Sequence, residues 1–359
     1  MKDKNHVYVL ILAGGKGERL WPKSRPSLPK QLQAIYSNKS LLKETLERAK
    51  LLAPLKNIYI GTNPQLAKTI SKKEKGFPKS NFILEPEGRN TAPIIALATF
   101  QFHSMDPNSK VVVLSSDAFI QPKKEFQKTI QTALEHTEKS LVLLGIQPTR
   151  PEIGYGYIQI ESSSSKSAFP VKKFHEKPSL DMAQQYIQKP DFFWNPGIFI
   201  FSAKQMLNEL KTHATDVFEP LALLFSKAKG KVPFQKIAPV FKKLPSTPID
   251  IAVMEKSKSI LMCKASFGWD DVGSWTSLRR ILPALPDGTV ANGSEIFSYH
   301  SKNNIISSQK KLVALLGVEG LIVVDEGDVL FIANDQNIDQ IKSMIAEIGK
   351  NKNLQRHIR

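Results

Sequence analysis

The chain has 359 residues, 41% of them hydrophobic and 23% charged, and 50 Lys+Arg against 33 Asp+Glu give a formal charge of +17. That composition fills a sizeable core and excludes disorder, while a single cysteine, Cys263, excludes a disulfide framework and makes the reducing cytoplasm the expected compartment. The first apolar run, Val7 to Ala13, is far short of the ~18–20 residues a bilayer needs, so no membrane is expected as a partner. The positive charge favours anionic ligands such as phosphates. Its cations stand in scattered pairs (Lys72-Lys73, Lys242-Lys243) without the basic stripe and exposed aromatics of a nucleic-acid module, so no nucleic acid is expected either.

Short β-rich runs at Val7–Leu12, Ile58–Ile60, Phe82–Leu84, Val111–Leu114 and Leu141–Leu144 alternate with helical spacing over Leu41–Ala53, Ile94–Phe102 and Phe126–Leu134. Apolar strands without alternation, separated by helices, predict parallel βαβ units and an α/β fold. Beyond residue 150 the pattern is mixed: strands at Tyr157–Ile160, Val171–Phe174 and Ile198–Phe201, a low-complexity loop at Ser162–Ser165, and a helix near Ala203–Lys211. The Lys- and Pro-rich stretch Lys227–Pro248 is expected to be irregular and exposed. Pro, Asp and Gly cluster at Pro283–Gly288, which predicts one domain over 1–283 and a small β-rich domain over 284–359. The latter carries strands at Asn304–Ser307, Val313–Leu316, Leu321–Val324 and Val329–Ile332, then a helix near Ile338–Ile348.

Directly after the first strand, the Gly-rich run from Leu12 to Pro22 allows a sharp turn whose N–H groups approach phosphate oxygens. It has neither the Walker pattern nor the third glycine of the dinucleotide fingerprint. Arg19, and Lys30 eleven residues further on, place two cations within reach of a triphosphate. Asp117 follows the strand Val111–Leu114, at the sheet edge where ligands bind in open α/β folds. Each of these residues has an ordinary reading too: Asp117 and Asp271 as turn residues, Glu176-Lys177 as an exposed pair at a strand end, Asn195 as a turn former.

Six blocks in order change that balance. Leu12 to Gln31 resembles the signature of sugar-1-phosphate nucleotidyltransferases, the mannose-1-phosphate guanylyltransferases in particular. Glu85-Pro86 with Arg89-Asn90-Thr91-Ala92-Pro93, the run Pro148 to Ile158, Phe174-His175-Glu176-Lys177-Pro178, Trp194 to Phe199 and Gly268 to Trp275 are similar to further blocks of that family. The resemblance implies a Rossmann-like, mostly parallel sheet flanked by helices, with a small C-terminal β-helical domain. It implies an enzyme of GDP-mannose biosynthesis that moves GMP from GTP onto α-D-mannose 1-phosphate and releases pyrophosphate. Arg19, Lys30, Asp117 and Asp271 would be catalytic, with Asp117 and Asp271 holding Mg2+ and Asp270 a rival for the second position. Ala13, Gly14, Gly15, Gly17, Glu85, Asn90 and Thr91 would bind the nucleotide. Gly156, Glu176, Lys177 and Asn195 would bind the sugar phosphate. His175 is a neighbour, since no proton transfer in this chemistry demands it. Ser115, Ala118 and Pro196 depart from the family's usual residues. Another sugar or base, a non-catalytic homologue and a homodimer are left open.

Overall fold

Val7–Leu12 reads Val-Tyr-Val-Leu-Ile-Leu, and five of its six residues are buried, a pattern that requires a neighbouring strand on each side and cover on both faces. The computed structural model supplies them, describing residues 4–15, 17–161, 167–226, 228, 230–309 and 311–358. The Ser162–Ser165 loop lies outside these. Two compact units emerge, and they do not follow chain order: Met1–Gly14 with Thr45–Ser115 and Ile120–Trp269, and Gly15–Glu44 with Ser116–Phe119 and Asp270–Arg359.

The first unit is built on a ten-stranded sheet. Phe82–Leu84, Ile58–Thr62, Val7–Leu12 and Lys110–Ser115 lie side by side and parallel, with Val9 opposite both Ile58 and Val112. Phe199–Ser202 is then inserted antiparallel, followed by the parallel pair Leu141–Gly145 and Ile260–Lys264. An antiparallel meander of Phe169–His175, Gly156–Ile160 and Phe192–Asn195 closes the order. In direction the sheet is mostly parallel, since only Phe199–Ser202, Phe169–His175 and Phe192–Asn195 run against the rest.

Helix Thr91–Met105, apolar on nearly every face, is buried from Ala92 to Phe102 and packs on helices Ala203–His213 and Thr215–Phe225. Phe100 stacks on Phe225 with centroids 5.6 Å apart. The expectation for Lys227–Pro248 fails here. Phe234–Phe241 is a helix that buries Ile237 and Phe241, with Leu244 buried beyond it. The apolar spacing Phe234, Ile237, Phe241 outweighs the interior Pro239 and the flanking lysines, which sit on the outer side.

In the second unit, Val290–Asn292, Ile305–Ser307 and Leu321–Asp325 stack in parallel, Val290 over Ile305 over Ile322, with Leu330–Asn334 antiparallel at the edge. Glu295–Tyr299 and Leu312–Leu316 form a second parallel pair. These are the rungs of a short β-helix. Its inner residues join Leu20, Trp21, Val272, Trp275 and Ile341 in one core. The terminal helix is Ile341–Lys350; it starts later than expected because Asp335–Gln340 winds as a tighter 3-10 turn. Among the described residues no helix is long and apolar enough to cross a membrane.

Candidate active site

Gly17, Arg19, Lys30, Asp117 and Asp271 fall in the second unit. Gly17 has φ 68, and a Cβ there would lie 2.2 Å from the Lys30 Cβ, so only glycine permits the turn to close over Lys30. Lys30 is buried, and its ammonium donates to the Asp271 carbonyl at 2.6 Å while pairing with Asp117 Oδ2 at 2.7 Å. One cation thus ties together three segments that are remote in sequence. Around it opens a cavity of about 370 Å3 lined by Gly17, Arg19, Lys30, Asp117, Gly273 and Lys342, among others. Arg19 is exposed at its wall.

The two adjacent aspartates divide cleanly. Asp270 is 4% exposed; its Oδ1 accepts from the Val272 N–H at 2.8 Å and its Oδ2 from Arg280 Nε at 2.6 Å. Its lone pairs are taken up in holding the turn. Asp271 Oδ1 accepts a longer bond, 3.1 Å, from the Gly273 N–H, and a Cβ on Gly273 would lie 2.7 Å from Asp271 Oδ2. Between them the turn strains the backbone: Val272 is fully buried at φ 51, a region that costs a β-branched residue about 1–3 kcal/mol. Asp117 and Asp271 are hard oxygen donors of the kind a small divalent cation takes. Among the described residues no cluster of three or more His, Cys, Asp or Glu forms a closed metal cage.

Ala13, Gly14, Glu85, Asn90, Thr91, Gly156, Glu176, Lys177 and Asn195 fall in the first unit. Ala13 is fixed by its N–H to the Gly61 carbonyl at 2.9 Å and by its carbonyl to Thr62 Oγ1 at 2.6 Å. Gly14 leaves room for Glu85, whose Oε1 would stand 3.7 Å from a Cβ there. Glu85 is 8% exposed, its Oε2 has no hydrogen-bond partner, and desolvation pushes its carboxyl up to about 7. An unpartnered buried acceptor is costly in isolation, which marks it as a group kept for something. Asn90, at φ 58, bonds Ser246 Oγ at 2.9 Å, and Thr91 Oγ1 accepts from the Ile249 N–H at 2.8 Å. Gly15 adjoins this group in sequence and begins the second unit.

The segment tied to Asn90 and Thr91 leads straight into a residue that sequence reasoning missed. Asp250 Oδ1 accepts from Asn195 Nδ2 at 3.0 Å, and Asn195 Oδ1 in turn accepts from the Gly197 N–H at 3.1 Å. Desolvation, reinforced by the Glu176 carboxylate, pushes Asp250 up to about 6. Glu176 Oε1 pairs with Lys177 Nζ at 3.1 Å, and Lys177 sits at φ 42. Gly156 is opposite Asn195 in the sheet, and a Cβ there would come within 2.9 Å of Glu176 Oε2. Gly156, Glu176, Lys177, Asn195 and Asp250 therefore form one polar group. His175 stays structural: its Nδ1 is 3.1 Å from Tyr186 Oη, and burial and Lys173 lower its pKa.

A Gly-rich turn closed over a buried lysine that meets an aspartate carboxylate is suited to polyphosphate chemistry, and residues 8–288 match the nucleotidyl transferase family, to which the chain belongs. Residues 295–348 match the mannose-phosphate isomerase/GMP-like β-helix domain. Its relatives are mannose-1-phosphate guanylyltransferases. That of Salmonella montevideo is 36% identical over 362 residues, 98% of this chain and 76% of its own; that of Salmonella muenchen is 35% identical over 348 residues, 95% and 73%. A crystal structure from Thermus thermophilus, described as a mannose-1-phosphate geranyltransferase, superposes with a TM-score of 0.86 at 30% identity, covering 96% of this chain and 99% of that one. The expected fold, an α/β nucleotidyltransferase sheet with a C-terminal β-helix, is borne out.

Proposed function

We infer that the chain transfers GMP from GTP to α-D-mannose 1-phosphate, giving GDP-mannose and pyrophosphate. The observation that carries the reading is the Lys30 ammonium, bound at once to the Asp117 carboxylate and to the Asp271 carbonyl 241 positions away. A buried ammonium held this way at the wall of an open cavity presents fixed positive charge to a polyphosphate. In the reaction an oxygen of the sugar phosphate forms a bond to the α-phosphorus of GTP in line, the bond from that phosphorus to the bridging oxygen breaks, and pyrophosphate departs. The attacking phosphate is already ionised, so no side chain need remove a proton, and rate comes from positioning and charge neutralisation.

In this reading Arg19 and Lys30 draw charge from the β- and γ-phosphates, and the backbone N–H groups of Gly14, Gly15 and Gly17 approach the phosphate chain. Glu85, buried and unpartnered, accepts from the N1–H and amino group of guanine; Asn90 and Thr91 hold the nucleotide beside it. Lys177 holds the attacking phosphate, while Glu176 and Asn195 bond the sugar hydroxyls over Gly156. Asp250 orients the Asn195 amide. Asp117 and Asp271 would hold a divalent metal, Mg2+, which supplies Lewis-acid stabilisation of the phosphates when bound. Their two carboxylates leave most of an octahedral shell for phosphate and water oxygens, which suits that ion.

The same proposal divides the chain into a catalytic domain over 1–283 and a β-rich domain over 284–359, a division that rests on the Pro, Asp and Gly cluster at Pro283–Gly288. It takes GTP and mannose 1-phosphate as partners and the cytoplasm as location, with a homodimer as an admissible assembly. Pyrophosphate release from GTP and mannose 1-phosphate tests it: release should stop with a chelator and return with Mg2+. Undiminished turnover in excess chelator would remove the metal role of Asp117 and Asp271.

A further inference from the structure

We propose that Lys342, on the terminal helix of the β-helical domain, is a further phosphate-binding residue, its ammonium holding the terminal phosphates of the nucleotide and the pyrophosphate product. The inference rests on the nucleotidyl-transfer reading above and extends it to a part of the chain that lies beyond the six motif blocks.

Lys342 lines the same cavity as Arg19, Lys30 and Asp117. Its place there is set by packing: Ile341 is buried in one cluster with Leu20 and Val272, and Met344, Ile345 and Ile348 continue the apolar stripe of the helix. Burying Ile341 against the turn that carries Arg19 leaves the next residue beside that turn, outside the stripe. The preceding 3-10 turn is anchored by Arg279 Nη1 on Asp335 Oδ2 at 2.6 Å, so the helix start is fixed from both sides.

Charge explains why a third cation belongs there. The Lys30 ammonium is already committed to Asp117, and the cavity also admits Glu18. A triphosphate carries more negative charge than Arg19 and a Lys30 shared with Asp117 can balance. Among the described residues Lys342 makes no ion pair, whereas Lys350 on the same helix is paired with Glu347 at 2.6 Å.

The test is binding of inorganic pyrophosphate to the full-length protein by calorimetry with Mg2+, alongside KM for GTP and for mannose 1-phosphate. Lys342→Ala should weaken pyrophosphate binding and raise KM for GTP about tenfold, as expected for one charge-assisted contact, with KM for mannose 1-phosphate within about twofold. Lys342→Arg should restore most of the affinity, and Lys350→Ala, with the same change of charge, should match wild type. The melting temperature should not move, because the side chain is exposed. Unaltered pyrophosphate affinity in Lys342→Ala overturns the proposal, as does an equal loss in Lys350→Ala or a wild-type protein that binds no pyrophosphate. Wild-type pyrophosphate binding that depends on Lys342, with no turnover of any nucleotide, would uphold Lys342 and reject the transfer reaction.

Discussion

Asp270 and Asp271 are adjacent and identical in chemistry, yet their surroundings give them opposite work. Asp270 has both oxygens engaged, one by the Arg280 guanidinium at 2.6 Å, and is 4% exposed. Asp270→Asn should therefore destabilise the protein by about 2–3 kcal/mol, less than the ~3–5 kcal/mol of a fully buried pair because Arg280 keeps some solvent. Asp271→Asn should leave the melting temperature nearly unchanged and lower kcat about 10²–10³-fold. Melting curves and kcat on the two variants decide it. A stable, inactive Asp270→Asn beside an active Asp271→Asn would reverse the assignment.

Glu85 and Asp250 give the site a pH signature. Desolvation raises their carboxyls to about 7 and about 6, so the folded protein retains protons that the unfolded chain has already lost. The stabilisation is fully present below the ordinary carboxylate range and is lost as pH rises through about 6 and then 7. The melting temperature should accordingly fall between pH 5 and 8, and Glu85→Gln should flatten the upper part of that fall. A wild-type melting temperature that rises across this interval, or a variant with the same slope, contradicts the buried-carboxyl account. Neither role was legible in full: Glu85 stood in a recognisable block, but Asp250 gains its meaning from Asn195, 55 positions earlier, and a lone Asp after Pro-Ile carries no local signal.

At the scale of elements, the parallel core was readable because strands buried on both faces are continuous apolar runs, as in Val7–Leu12 and Lys110–Ser115. Helices with a narrower stripe were missed, although two announce themselves: Asn63 accepts from the Leu66 N–H ahead of Pro64–Lys73, and Ser179 from the Met182 N–H ahead of Leu180–Ile187. Thr215–Phe225 and Phe234–Phe241 were masked by Pro220 and Pro239 inside them. Burial overrides propensity in both. Phe241 is fully buried, so Phe241→Ala should cost about 3–5 kcal/mol, the range for emptying a packed aromatic site. Chemical unfolding checks it; a loss below about 1 kcal/mol would return this stretch to the exposed, irregular segment that its composition suggests. The left-handed residues Asn90, Lys177 and Val272 were invisible in sequence, since nothing but the tertiary frame holds a non-glycine residue there.

At the scale of the whole chain, the second unit joins Gly15–Glu44 to Asp270–Arg359. Arg25 grips Asp328 through two bonds of 2.8 and 2.7 Å, Lys23 meets Glu326 at 2.9 Å, and Trp21 Nε1 reaches the His357 carbonyl at 3.1 Å. Trp275 Nε1 donates to the Trp21 carbonyl at 2.9 Å. These contacts give the β-helix a reason to belong to this enzyme: it clamps the segment that carries Gly17, Arg19 and Lys30. No periodicity in the sequence reports pairings of such range, so the tail was legible as strands and a helix but not as the support of the segment around Trp21, Lys23 and Arg25. The central claim concerns the two substrates together. Pyrophosphate release measured over four nucleoside triphosphates against several hexose 1-phosphates tests it most directly. The account predicts that GTP with mannose 1-phosphate exceeds every other pair in kcat/KM; equal or faster release from UTP or dTTP, or with glucose 1-phosphate, would contradict it.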